Sequence, residues 1–212
     1  MTPIAVVTGA SKGIGRATLL ELEGRGYEVR DFSRTAGVDL RDPVAVEAAF
    51  ARLDRLDALV NNAGYFLLKP IQEMNVEEWD AVLEIGLRGA WLCSRAAFRL
   101  MKPGGAIVNV VSLGGVAGTE KFTGMSAYVA AKSGLSGLTE ELAVEGKPLG
   151  IRVNAVSPAS VATEMGAAAG VQQEPLHPEE VARIIAWLAT AESAPLTGAN
   201  LRIDPPARRA PP

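Results

Sequence analysis

A chain of 212 residues, 48% apolar and 21% charged, has material for one sizeable core and the composition of a soluble globular protein. Its single cysteine, Cys93, excludes an intrachain disulfide, and a single histidine, His177, leaves too few soft ligands for a dedicated metal site. A net charge of −3 gives no electrostatic case for nucleic acid. No apolar run approaches the ~20 residues of a membrane span. The start, Met1-Thr2-Pro3-Ile4, lacks a secretory pattern, so the cytoplasm is the expected location.

Apolar runs and stretches of helical spacing then alternate. Residues 4–8 read as a strand, 9–15 as a glycine-rich turn, 14–23 as a helix and 27–33 as a second strand. Helical spacing returns over 43–53, where Val46, Phe50 and Leu53 recur and Pro43 marks the start. A buried strand over 56–61 precedes a long helix over 76–101, which Lys102-Pro103-Gly104-Gly105 ends. Strand 106–111, helix 126–145, strand 151–156, helix 178–190 and strand 201–204 follow. Strands apolar throughout, alternating with helices, predict an α/β fold. The expected form is a doubly wound parallel sheet with helices on both faces. It forms a single domain over 1–204, and the Pro- and Arg-rich stretch 205–212 reads as a disordered tail.

Ligands of doubly wound sheets bind beyond the carboxyl ends of the strands. Small, polar and turn-forming residues gather at those ends here: Thr8 to Gly15 after the first strand, Asn61-Asn62-Ala63-Gly64, Ser112, and Ser157-Pro158-Ala159. Gly9, Gly13 and Gly15 lie between a strand and a helix, where glycine lets a pyrophosphate approach the backbone and the helix start offers free N–H groups. Gly9-Ala10-Ser11-Lys12-Gly13 also fits the G-x-S-x-G elbow of hydrolases. That elbow needs an earlier strand for its oxyanion loop and a catalytic histidine, and His177, just before Pro178, reads as a helix-start residue.

Tyr128 and Lys132 are four apart on one face of a helix. A free phenol titrates near ~10, and a nearby ammonium stabilises its phenolate, so the pair suits proton exchange with a carbonyl or an alcohol. Ser112, at a strand end, is placed to hydrogen-bond the same oxygen. A tyrosine and lysine at this spacing arise by chance often enough that the pair alone is weak.

Taken together, these segments resemble the short-chain dehydrogenase/reductase (SDR) family. The motifs occur in its order from about residue 4 to 204: the glycine turn, Asp39-Leu40, Asn61 to Gly64, Ser112, Tyr128 with Lys132, and Ile151 to Pro158. The resemblance implies a Rossmann-type sheet of about seven strands and an oxidoreductase with a nicotinamide cofactor and a Ser112-Tyr128-Lys132 centre, in which Lys132 also binds the nicotinamide ribose. It places Asp39 and Leu40 by the adenine, Val161 and Thr163 by the carboxamide, and Gly9, Ser11, Lys12, Gly13, Ile14, Gly15, Asn61, Ala63, Gly64 and Pro158 along the cofactor. Ser33 and Arg34 end the second strand, opposite Lys12, and two cations suit the 2′-phosphate of NADP(H). Asp31 is a competing signal for NAD(H).

Four departures from the family pattern stand out. Gly86 occupies the place of an asparagine thought to hold a water in a proton relay to the lysine. The 34–39 connection is too short for a helix commonly found there. Ser112 and Tyr128 lie 16 apart, a few residues beyond the common spacing. Ala159 replaces a usual glycine. The substrate lid, 163–178, is short and contains Ala167-Ala168-Ala169-Gly170, which suggests an open pocket for a small carbonyl compound. Gly86 also keeps open a second reading, a non-enzymatic NADP(H)-binding sensor or scaffold. The two long helices resemble the family's association faces. Ala127, Ala130, Ala131, Gly134 and Gly137 would allow close helix approach in a homodimer or homotetramer.

Overall fold

Val6, Val7, Leu59, Val60, Ile107, Val108 and Val153 are fully buried, and strands with no polar alternation need cover on both faces. The computed structural model describes residues 1–168 and 175–205. Its elements are β1 (Ile4–Thr8), α1 (Gly13–Gly24), β2 (Glu28–Phe32), α2 (Pro43–Phe50), β3 (Leu56–Asn61), α3 (Val76–Leu83), α4 (Gly89–Leu100), β4 (Met101–Val110), α5 (Ser126–Gly146), β5 (Arg152–Pro158), α6 (Glu164–Ala168), α7 (Pro178–Ala189) and β6 (Asn200–Ile203). All strand pairs are parallel, in the order β2-β1-β3-β4-β5-β6. One core layer joins Phe32, Val46, Phe50, Leu92 and Leu142 on the α2, α4 and α5 side. The other joins Leu19, Leu22, Val181, Ile185 and Leu188 on the α1 and α7 side.

The sheet has six strands among the described residues, not about seven. The reason lies after β2. Residues Arg34–Ala36 form a tight 3-10 turn that Gly37 closes at φ +86°, and Val38 N–H returns to Ser33 O at 2.9 Å. A parallel crossover takes a dozen or more residues, and this connection is too short to add a strand outside β2. β2 is therefore the border of the sheet. The tail beyond Pro205 lies outside the described residues.

Local signals set the helix starts. Asp42 Oδ1 accepts from Val44 N–H at 2.8 Å, with Pro43 at the first position of α2. Asn75 and Glu78 exchange reciprocal bonds at the start of α3, at 2.8 and 3.0 Å. The predicted helix 76–101 runs to Leu100, but Glu84–Arg88 is a π-helical segment between α3 and α4. Lys102 to Gly105 fall within β4 as an irregular stretch, with Gly104 at φ +99°, between Met101, which pairs with Leu56, and Ala106, which pairs with Ala58. Ala127 and Ala131 are buried within this chain, and a Cβ on Gly134 would meet Leu87 Cδ2 at 2.8 Å. Those small residues serve packing within the fold, whereas Gly137 faces open space. No described helix is long and apolar enough to cross a membrane.

Candidate active site

Connections leave β1 and β3 in opposite directions across the sheet, which opens a crevice at the carboxyl ends of these two neighbours. The loops after them are locked together. Thr8 Oγ1 accepts from the N–H groups of Asn62 and Ala63, both at 3.0 Å. Asn62 Nδ2 donates to Thr8 O at 3.0 Å and Gly9 O at 3.1 Å. Asp31 steadies the turn from the other side, accepting from Ala10 N–H at 3.3 Å and from Ser33 Oγ at 3.0 Å. The Asp31 carboxylate, the competing NAD(H) signal, is thus engaged by the protein's own groups and is not among the residues that line the crevice.

The crevice is a cavity of about 1160 Å³. All the predicted site residues line it except Gly15 and Asn61. A Cβ on Gly15 would lie 2.3 Å from Gly9 O and 2.4 Å from Asn62 Nδ2, so this glycine lets α1 sit tight under the turn rather than touch a ligand. Asn61 is 2% exposed. Its Nδ2 donates to Ser94 Oγ at 3.0 Å and Asn109 Oδ1 at 2.9 Å, and Asn109 Nδ2 donates to Thr139 Oγ1 at 2.9 Å. This polar chain ties β3 and β4 to α4 and α5 inside the core. Arg16, which the motifs did not include, and Asn62, which lies in the Asn61 to Gly64 motif but was not expected along the cofactor, also line the cavity.

Tyr128 and Lys132 occupy the first two turns of α5, 8% and 3% exposed. Ser112 follows β4, and its Oγ accepts from Gly114 N–H at 3.2 Å. The helix approaches this loop because residue 115 is glycine: a Cβ there would lie 2.6 Å from the Lys132 carbonyl carbon. Lys132 Nζ donates to Val110 O at 2.6 Å and lies 5.8 Å from the centre of the Tyr128 ring. The Phe66 ring meets Tyr128 edge-on at 5.0 Å. Burial raises the Tyr128 phenol above its usual value, and a hydrogen bond with Ser112 pulls it back. Burial also lowers the Lys132 ammonium to about 8. The expectation that the ammonium sets the phenol below 10 does not hold in the protein alone, where desolvation is the larger effect.

Gly86 is buried in the middle of the π segment, and a Cβ there would lie 3.4 Å from Ala131 Cβ, on the helix that carries Tyr128 and Lys132. At the other end of the cavity stand Lys12, Arg16 and Arg34. Lys12 pairs with Glu164 at the start of α6. Asp39 is held by Arg41, whose Nη2 lies 2.6 Å from Oδ2, and its carboxyl falls to about 2. In the lid, Val161 bridges Leu176, while residues 169–174 lie outside the described set. His177 starts α7 as expected, its N–H donating to Glu180 Oε2 at 2.7 Å.

Residues 31–205 match a family model described as enoyl-(acyl carrier protein) reductase. The trans-4-hydroxycyclohexanecarboxylate dehydrogenase of Sinomonas cyclohexanicum is 37% identical, over 95% of this chain and 91% of that protein. The chain belongs to the short-chain dehydrogenase/reductase family. As an SDR protein it is an oxidoreductase. The SDR relative 3-oxoacyl-(acyl-carrier-protein) reductase FabG of Escherichia coli is 34% identical, over 95% of each chain. An SDR structure from Burkholderia cenocepacia in complex with NADP superposes with a TM-score of 0.85 at 31% identity, covering 96% of this chain and 97% of that one. The Sinomonas alignment runs over 238 positions, more than this chain has residues, so that relative carries segments this SDR chain lacks. The absent border strand is in keeping with this difference.

Proposed function

We propose that the protein is an NADP(H)-dependent reductase or dehydrogenase acting on a carbonyl or secondary alcohol, with Tyr128 as general acid/base. The observation that carries this is the layout of the cavity: Ser112, Tyr128 and Lys132 at one end, Lys12, Arg16 and Arg34 at the other. The cradle fits a dinucleotide. Gly9 and Gly13 line the cavity at φ +65° and +57°, a left-handed conformation that glycine allows and that lets the turn present its backbone to a pyrophosphate at the start of α1. Lys12 and Arg34 bind the 2′-phosphate, and the complex of the Burkholderia relative with NADP supports that choice.

A bound nicotinamide supplies or takes the hydride. Tyr128 Oη gives a proton to the carbonyl oxygen or takes one from the alcohol, and Ser112 Oγ orients that oxygen. Lys132 Nζ holds the ribose hydroxyls. Phe66 and the surrounding apolar side chains keep water from the ring face of Tyr128. The protein works in the cytoplasm and associates with itself through the groove of about 750 Å³ along α3, α4 and α5, where Trp91 is exposed. Light scattering reads that state.

The test is NADPH oxidation against a panel of aldehydes, ketones and quinones. Turnover is expected, with Tyr128→Phe losing roughly 10²–10⁴ of it. A Tyr128→Phe variant at full rate removes the mechanism. NADPH binding without turnover of any panel member favours the sensor reading that Gly86 suggests.

A further inference from the structure

The charge lining the cavity differs across the sheet. The cations Lys12, Arg16 and Arg34 all come from the β1 and β2 side, where the one lining carboxylate, Asp39, is paired with Arg41. Every charged residue that lines it from the loops after β4, β5 and β6 is a carboxylate, Glu120, Glu164, Glu179 and Asp204. Glu164 is paired with Lys12. Lys132 on α5 is the one cation at the reacting end among the described residues, and it is turned to Val110 O. Lys121, beside Glu120, points back into its own loop, donating to Val116 O at 2.7 Å and Thr119 Oγ1 at 2.6 Å. The stretch 163–182, which contains the lid, has no lysine or arginine in its sequence.

The rim beyond Tyr128 is apolar and aromatic. Tyr65, Phe122 and Met165 line the cavity yet stand 42%, 51% and 38% exposed, and Leu113, Phe66 and Met125 lie deeper. Large apolar side chains left in water around a cavity mouth are the surface a ligand covers.

We infer that the substrate is an uncharged, largely apolar ketone or secondary alcohol, and that Glu120 and Asp204 select against a carboxylate on it. This rests on the proposed oxidoreductase reading. A carboxylate bound there would meet like charges and find no cation other than Lys132. The apolar body covers Tyr65, Phe122 and Met165, while the oxygen that reacts faces Tyr128. The preference is for charge and surface type rather than for small size.

A pair of substrates that share one ring and differ in charge at its substituent tests this: 4-oxocyclohexanecarboxylate and its methyl ester, each with NADPH and the wild-type protein. The ester is expected to have at least about tenfold higher kcat/KM, with the gap narrowing in high salt. In Glu120→Gln and in Asp204→Asn the acid-to-ester ratio rises about threefold or more, and in Glu120→Asp it stays near wild type. An acid turned over as well as the ester, or a ratio indifferent to both variants, overturns the substrate assignment and leaves the oxidoreductase reading intact. Turnover of neither compound nor of any neutral ketone, with NADPH bound, overturns both.

Discussion

Lys132 Nζ and Val110 O are 2.6 Å apart, so the ammonium of the reacting end is anchored to the last residue of β4 rather than to its neighbour on α5. One hydrogen bond does not repay full burial, and the ammonium titrates at about 8 instead of 10.5. Between those values the unfolded chain holds a proton that the folded protein has released. Stability then rises with pH through that window, as far as this group is concerned. Thermal denaturation of the cofactor-free protein from pH 7.5 to about 9.5 reads the effect, and the rise is absent in Lys132→Met. A wild type and a Lys132→Met variant with parallel profiles would count against a strained lysine.

Arg34→Ala is expected to weaken NADPH binding roughly ten- to hundredfold while leaving NADH binding within a few-fold. Fluorescence titration with each cofactor measures the two affinities. Equal losses for both would place Arg34 away from the 2′-phosphate.

Lys12 cannot serve Glu164 and a phosphate equally. Glu164→Gln removes the competing carboxylate, and NADPH affinity should rise a few-fold at low salt and little at high salt. A fall in affinity would mean that Glu164 positions Lys12 for the cofactor rather than competing with it.

Two glycines of different surroundings make a paired test of packing. Gly15→Ala drives a methyl group into Gly9 O and the Asn62 amide, and should cost about 3 kcal/mol together with cofactor binding. Gly137→Ala meets nothing within 4 Å on a helix face and should stabilise by about 1 kcal/mol. Denaturant midpoints of the two variants compare them directly.

The chemistry of the site was more legible than its boundaries. Tyr128 with Lys132 and the glycines of the turn are residue types that few others replace at such spacing, and the cavity brings Tyr128, Lys132, Gly9 and Gly13 together. Asn61 and Asn62 look alike as letters, and only the alternation of strand faces sends one into the core and the other over the crevice. Gly15 reads as part of a ligand motif, but the atoms it accommodates belong to the protein. Arg16 follows the motif immediately, and a lone arginine on a helix reads as surface charge until the fold turns it toward the cavity. The π segment leaves no trace, because Ile85, Gly86 and Leu87 keep an apolar pattern whether the turn holds one residue more or fewer. The strand count followed the family, although the short 34–39 connection already signalled that a unit was missing.

Ending the sheet at β2 leaves one row of its backbone N–H and C=O groups with no strand among the described residues to satisfy them. Such a row is a template for any other extended peptide. Glu28 and Arg30 are exposed along β2 and pair with each other, which sets charge where an aggregating chain would have to dock. An open border therefore brings a solubility problem, and here two oppositely charged side chains act as gatekeepers.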